Sequence, residues 1–178
     1  MTLSLADAKH IIGSRKRLVN IHPWVLRPTR DGKAVQCTFE ARIEIDGTLP
    51  RGVWFRSTLW PKNPDTASIQ LECDLPGSRS HMPLYRLDWR PMTTHTNGQF
   101  GPPELRGAFF DVGETHEHIC FDHAVEEENR IRSGGVQTAK KIDPDFDSFQ
   151  EALKYVCATL NVANFADIPV PHVQGVLF

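Results

Sequence analysis

The chain has 178 residues, of which 40% are hydrophobic and 24% charged, and its formal net charge is -2 at pH 7. Domains commonly contain ~100–200 residues, so this length predicts one domain, residues 1–178, with a core that needs no disulfide staple. The charge excludes a protein that coats nucleic acid through bulk positive charge. No apolar run approaches the ~18 residues of a membrane span and the start lacks a secretion signal, so we expect a cytoplasmic protein with no membrane partner.

The first half of the chain predicts a helix and then strands. From Ser4 to about Arg17, a serine N-cap precedes apolar residues at helical spacing and a basic end that is expected to face water. Residues 35–45 alternate between apolar and polar side chains, which predicts a long half-buried strand followed by the turn pair Asp46-Gly47. Further strands are predicted over Gly52 to Trp60, Ala67 to Leu75 and Pro83 to Arg90.

The second half is predicted to carry a long loop, one strand and one helix. The loop spans Pro91 to Gly113, is rich in Gly, Pro, Thr and Asn, and is of a length that is more often functional than not. Glu114 to Ala124 alternates again and predicts a fifth strand, and EEENRIRSGG predicts turn or loop. Asp147 or Ser148 then caps a helix that ends near Asn161, a plausible left-handed cap.

Together these elements predict an α+β fold. Its core would be an antiparallel meander sheet of about five strands, with an N-terminal helix and a C-terminal helix packed on it. The four cysteines form no C-x-x-C pair, and three lie where an apolar residue is expected. They are therefore predicted to be buried free thiols, with a functional role left open for Cys120 alone.

Potential chemistry is concentrated between Met92 and His123, which contains four of the eight histidines. Strand alternation places His116 and His118 on one side and His123 on the other, and His95 on the preceding loop can join the first two. Phosphate-loop, dinucleotide-binding, G-x-S-x-G and H-E-x-x-H motifs are absent from the sequence.

Three histidines in this arrangement predict a site for a divalent metal. His95, His116 and His118 are the predicted ligands, because imidazole suits Zn, Ni, Fe and Mn, and an oxygen ligand could come from Asp122 or Asp111. The alternative is that the histidines only form hydrogen bonds on a polar sheet face.

The same histidines could instead act without a metal. His95 and His118 would then be the catalytic acid and base, with Arg86 and Arg90 as planar donors to a phosphodiester. The paired H-x-[ST]-x motifs of two-histidine phosphoesterases are not present.

A binding surface is predicted on the sheet. Trp54, Arg56 and Trp60 share the side opposite Val53 and Phe55, and aromatic rings interleaved with arginine can stack bases at ~1–3 kcal/mol each. Arg90 is added to this surface as a phosphate donor. The alternative is a covering helix, with each buried ring contributing on the order of 3 kcal/mol.

The order of features from Pro83 onward resembles a family of small uncharacterised bacterial and phage-borne proteins. The shared features are the strand LYRLDW, the His95-Thr96-Asn97-Gly98 loop, the His116-x-His118 strand and a closing helix that ends in Leu160-Asn161-Val162. The resemblance implies a cytoplasmic single domain found with mobile elements, with both histidine segments as the shared feature and no known activity.

Two functional hypotheses follow. The first is a non-enzymatic binding or regulatory module of prophage or mobile-element origin, whose sheet face or long loop contacts a protein or nucleic-acid partner. The alternative is a small metal-dependent or two-histidine phosphodiester hydrolase. Absence of stoichiometric metal together with a distance above ~10 Å between the His95 and His118 side chains would exclude both a shared metal and direct proton relay, and with them the hydrolase. Burial of Trp54 and Trp60 beneath a helix would remove the stacking surface.

Overall fold

In the computed structural model of the chain, the residues described are 4–29, 31–74, 81–99, 101–119, 125–126, 130–131 and 138–171. The helices are α1 (Leu5–Gly13) and α2 (Phe149–Thr159). The strands are β1 (Lys16–Val19), β2 (Val25–Pro28), β3 (Val35–Ile45), β4 (Val53–Trp60), β5 (Asn63–Asp74), β6 (His81–Trp89), β7 (His95–Thr96), β8 (Phe109–Phe110), β9 (His116–Ile119), β10 (Val125–Glu126), β11 (Arg130–Ile131) and β12 (Ala139–Lys141).

Eight of these strands form one antiparallel sheet. Its order is β1-β3-β4-β5-β6-β9-β12, and β2 also pairs with β3. β1 pairs with the second half of β3, where Leu18 faces Ile43, and β2 pairs with the first half, where Val25 faces Thr38. Two small hairpins lie outside the sheet, one formed by β7 and β8 and the other by β10 and β11.

The α+β class, the antiparallel sheet and the two helices predicted from the sequence are confirmed, but the prediction of about five strands is wrong. The strands that were missed, β1, β2 and β12, have at most four residues, too few for alternation to be recognised. The N-terminal helix ends at Gly13 rather than near Arg17, because the chain turns into β1.

Three other predictions, all about the second half of the chain, differ from the structure. The long loop contains β7, β8 and a short 3-10 helix (Pro103–Leu105). The strand predicted from residue 114 to 124 is β9 (His116–Ile119), and residues 120–124 lie outside the described part of the chain. The run predicted as turn or loop contains β11 and the second residue of β10, and these two strands pair antiparallel.

Both helices pack on one face of the sheet. The apolar stripe of α2 is buried, Ser148 is its N-cap and accepts from the Glu151 N–H at 3.3 Å, and Asn161 after its end has φ 54°, as predicted. Trp89 contacts Phe149 with ring centroids 6.4 Å apart. Neither described helix has the length and apolarity needed to cross a membrane.

Three cysteines and one lysine are buried in the core. Cys37, Cys73 and Cys157 are buried free thiols, as predicted, whereas Cys120 lies outside the described residues. Lys16, predicted to face water, is 1% exposed. Burial lowers its pKa to about 8, and its ammonium donates to carbonyls at the ends of both helices, at 2.6 to 2.7 Å: Ile12, Ser14 and Leu160.

A buried carboxylate joins β9 to the core. Glu117 lies between His116 and His118 but points to the opposite face, where it accepts hydrogen bonds from the Tyr85 hydroxyl at 2.9 Å and the Tyr155 hydroxyl at 3.1 Å. These two contacts hold β9 against β6 and α2. They therefore fix the position of the strand that carries the histidine pair.

We expect Tyr85→Phe to lower the free energy of unfolding by about 2 kcal/mol, because a hydrogen bond to a buried charged group contributes ~1.5–3 kcal/mol. Tyr155→Phe should cost less, since Tyr155 is only partly buried. Urea unfolding of the two variants measures both values. An unchanged midpoint for Tyr85→Phe would contradict the role assigned to Glu117.

Candidate functional site

The register of the sheet aligns polar side chains into two rows across the face opposite the helices. Cross-strand neighbours in the first row are Glu40, Arg56, Gln70, Arg86 and His118. In the second row they are Thr38, Thr58, Ser68, Asp88 and His116. Both histidines of β9 therefore stand beside a charged residue of β6.

Three imidazole rings meet at the end of these rows. The ring centroids of His116 and His118 are 5.1 Å apart, and His95 lies 5.5 Å from the first and 4.8 Å from the second. The hairpin of β7 and β8 brings His95 over the sheet, where Phe110 packs 4.9 Å from the His116 ring. His95 and His118 are thus well within the ~10 Å that direct proton relay requires.

His116 is held as a neutral ligand or base. Its Nδ1 donates to the Glu114 carbonyl oxygen at 2.8 Å, so the lone pair is on Nε2, which lies 3.6 Å from Asp88 Oδ2. In metal-binding histidines one ring nitrogen commonly donates to a backbone carbonyl, as Nδ1 does here, while the other nitrogen keeps its lone pair for the metal.

Arg86 and Asp88 contact the second histidine. The Arg86 Nη2 donates to His118 Nε2 at 2.7 Å, and the Arg86 Nε lies 2.9 Å from Asp88 Oδ2. Asp88 Oδ2 is itself 3.3 Å from His118 Nε2, and Ser68 donates to Asp88 Oδ1 at 2.9 Å. Within the described residues, His118 Nδ1 is buried with no hydrogen-bond partner.

The site keeps both histidines neutral and the aspartate charged. Burial lowers the pKa of His118 to about 4 and also lowers the pKa of His116. Burial alone would raise the pKa of Asp88, but its close contact with His118, the charge of Arg86 and the hydrogen bond from Ser68 outweigh that effect and lower the pKa to about 2. At neutral pH the His116 Nε2 lone pair faces the Asp88 carboxylate, while Arg86 occupies the His118 Nε2 lone pair and contacts the same carboxylate.

Asp88, His116 and His118 form a group that could hold a metal ion, since their ligand atoms all lie within 4.8 Å of one another. Two histidines and one carboxylate form the facial set found in non-haem iron sites and in some zinc enzymes. This group differs from the predicted ligand set. Its third member is Asp88 on β6, whereas His95 is adjacent to the group, Asp111 is not in it, and Asp122 lies outside the described residues.

His95 is positioned by a neighbour instead. Its Nε2 donates to Asn97 Oδ1 at 2.9 Å, and Asn97 is buried and fixed to the backbone of β12 and of the loop. The Asn97 amide donates to the Ala139 and Leu105 carbonyls at 2.8 and 2.7 Å, and its oxygen accepts from the Ala139 N–H at 2.7 Å. Asn97 thus ties the His95 hairpin to the sheet.

We expect Asn97→Ala to lower the free energy of unfolding by about 2 to 3 kcal/mol, because it leaves the buried backbone groups of Ala139 unpaired at ~1–3 kcal/mol each. Thr96→Ala is the matched control, since Thr96 is the exposed residue just before Asn97, at the end of β7. Chemical unfolding of both variants tests this. Equal stability of the two would show that Asn97 does not hold the hairpin.

The predicted stacking surface is only partly assembled. Trp54 and Trp60 lie on the polar face, and both remain partly exposed, so neither is buried beneath a helix. Arg56 is paired with Glu72 at 2.6 Å and Glu40 at 3.0 Å, which neutralises it as a phosphate donor.

Arg90 belongs to a different contact. It pairs with Asp145 at 2.7 Å and donates to the Phe146 carbonyl at 2.8 Å, in the segment before α2. Arg42 is the arginine that lies over the Trp54 ring, 4.7 Å from its centroid. Of the predicted binding residues, Trp60 and Arg56 line a groove that reaches the histidine site.

No protein-family model, curated protein or solved structure matches this chain. The resemblance to phage-borne proteins therefore stays a prediction.

Sequence reasoning missed Asp88. It lies in β6, where alternation placed it on the polar side with Arg86, but its sequence separation from the histidines gave no reason to group them. The pairing of β6 with β9, which sets Asp88 opposite His116, is the information that was lacking.

Proposed function

We propose that this protein is a small metal-dependent phosphodiester hydrolase. The observation that carries the proposal is the convergence of Asp88, His116 and His118 beside a third histidine and an arginine, at the end of an open groove. A divalent cation held by this set would polarise a phosphate oxygen and lower the pKa of a water molecule.

The side chains around that set have separate roles. Arg86 already lies where a cation would sit, in contact with both Asp88 and His118, and it is partly exposed on the groove side. When the cation binds, Arg86 would move into the groove and donate to the substrate phosphate, which arginine recognises in a bidentate manner.

His95 would transfer the proton between the attacking water and the leaving oxygen. In the hydrolysis, a water oxygen forms a bond to phosphorus, the ester P–O bond breaks, and the leaving oxygen takes up a proton. His95, which lies closest to His118, would accept the proton from the water and return one to the leaving oxygen.

The test is cleavage of bis(4-nitrophenyl) phosphate by protein purified without a histidine tag and stripped with a chelator. We expect cleavage to return on addition of one equivalent of a transition metal such as Zn²⁺ or Mn²⁺, and to be lost again with excess chelator. Absence of both stoichiometric metal binding and turnover with any of these ions would overturn the proposal.

A second candidate is the binding module. It is supported by Trp54 and Trp60, which lie on the polar face and are partly exposed. In this role the face would hold a nucleic-acid strand without cleaving it. Fluorescence anisotropy of a labelled single-stranded oligonucleotide tests it, and binding that survives replacement of both tryptophans would contradict it.

A further inference from the structure

The groove beside the histidine site has a volume of about 550 Å³, which lies within the ~300–1,000 Å³ of small-ligand pockets. Its walls come from β3, β4, β5 and β6 and from the start of the loop at Pro91 to Thr93. Arg86 and Asp88 line one part and Trp60 lines another, so the groove connects the histidine site to an aromatic ring.

The two parts of the groove differ in charge. Arg86 is paired with Asp88 at 2.9 Å, and a cation bound to Asp88 would free the Arg86 guanidinium for an anionic group at the end beside the histidines. Elsewhere the charge is cancelled, because Arg56 is paired with both Glu40 and Glu72. A ligand that matches this groove therefore carries its negative charge at one end and a neutral polar group at the other.

The neutral part offers a flat ring and free polar groups. Trp60 is half-buried, and the side-chain amides of Gln36 and Gln70 line the groove without a hydrogen bond to any other described residue. The Thr58 hydroxyl also faces the groove. An aromatic platform next to free amides is how proteins hold a nucleobase, by stacking its face and bonding its edge.

The spacing suits one nucleotide. Trp60 is four residues along β4 from Arg56, which stands in the same row as Arg86 across β5, so Trp60 and Arg86 are separated by roughly 13 Å along the strands and roughly 10 Å across them. Their backbones are thus roughly 16 Å apart, and both side chains line the groove between them.

We propose that the groove binds a nucleoside phosphate, with the phosphate at Arg86 and the base stacked on Trp60. This assignment of the phosphate end rests on the proposed hydrolase function. The amides of Gln36 and Gln70 hold the base edge or the sugar hydroxyls.

Calorimetric titration of the protein loaded with one equivalent of Zn²⁺, the state in which Arg86 would face the groove, with thymidine 5′-phosphate and ribose 5-phosphate tests the proposal. We expect the nucleotide to bind about 10-fold more tightly, since a stacked base contributes ~1–3 kcal/mol. Trp60→Ala should remove this difference and Trp60→Phe should retain part of it. Trp54→Ala is the matched control, because Trp54 lies on the same face of the same strand but contacts Arg42 and Asp74 instead of the groove.

Equal affinity for the two phosphates, or equal losses in Trp54→Ala and Trp60→Ala, would overturn the assignment. Trp60-dependent nucleotide binding without hydrolysis would support it and overturn only the hydrolase function. Metal-dependent cleavage of bis(4-nitrophenyl) phosphate without base preference would support the hydrolase function and overturn the nucleotide groove.

A parallel titration with a ten-residue oligothymidylate separates the two sources of a nucleoside phosphate. Tighter, salt-dependent binding than that of the mononucleotide supports a nucleic-acid strand as the source. Binding no tighter than the mononucleotide supports a free nucleotide.

Discussion

Replacing His116 with alanine is expected to weaken metal binding by about 100-fold or more and to bring phosphodiester cleavage to the background rate. Loss of an outer partner of a metal ligand already costs ~10–100-fold in affinity, so loss of the ligand itself should cost at least as much. Competition with a chromogenic chelator gives the affinity, and release of 4-nitrophenolate gives the rate.

The pattern across three further variants identifies the ligand set. Asp88→Asn should lose the metal as His116→Ala does. His95→Ala should keep the metal but lose about 100-fold in rate, the lower range of a general acid–base contribution. His22→Ala, which changes an exposed histidine before β2, is the control for both assays. Far-UV circular dichroism and thermal unfolding establish that each variant is folded.

Metal loss in His95→Ala together with metal retention in Asp88→Asn would contradict the structural ligand set. It would restore the set predicted from the sequence, with His95 as the third ligand. A folded His116→Ala variant with full metal affinity would contradict both sets.

The metal-free protein is expected to lose about 3 kcal/mol of stability between pH 7 and pH 4 through His118 alone. The reason is that its pKa is about 4 in the folded protein against about 6.5 when unfolded, and one pKa unit corresponds to ~1.36 kcal/mol. Urea unfolding at a series of pH values in the presence of chelator measures the loss.

The sign follows from proton uptake. Between pH 6.5 and 4 the unfolded chain binds a proton at this position and the folded chain does not, so acidification favours unfolding. His116 acts in the same direction, since burial also lowers its pKa. Asp88 acts in a separate window, because its folded pKa of about 2 delays its loss of charge until below the usual aspartate value of about 3.8.

Comparison with His118→Gln isolates the contribution, since other groups titrate in both proteins. The variant should have a shallower decline of unfolding free energy with falling pH, whereas His22→Ala should follow the unaltered protein. Parallel declines in His118→Gln and the unaltered protein would show that the pKa of His118 is the same in the folded and unfolded chain.

Local patterns predicted those parts of the fold that have enough residues to repeat. β3, β4 and α2 follow their apolar periodicity, and Ser148 caps α2 as predicted. β1, β2 and β12 have three or four residues each, and they form because a neighbouring strand offers hydrogen-bonding groups, which their own sequence does not encode. Lys16 was misassigned for a similar reason, since its carbonyl partner Leu160 is 144 residues away.

The candidate site divides in the same way. Alternation within one strand was sufficient to place His116 and His118 on a common face. Asp88 required knowledge of strand order, and the ion pairs of Arg56 required knowledge of the pairing across β3, β4 and β5. The face of the sheet that a side chain occupies can therefore be predicted from sequence here, whereas the residues that lie beside it on neighbouring strands cannot.

The borders of the main sheet limit how it can associate with other chains. At one border two separate four-residue strands cover eight of the 11 residues of β3, and the outer strand β2 ends in Pro28, which has no N–H to donate. At the other border, β12 has three residues and carries Lys140 and Lys141. Short, interrupted and charged borders oppose growth of a sheet by addition of a foreign strand, which protects against fibrous aggregation. Among the described strands, recognition by this protein is therefore expected to use the broad surface of the sheet and not its borders.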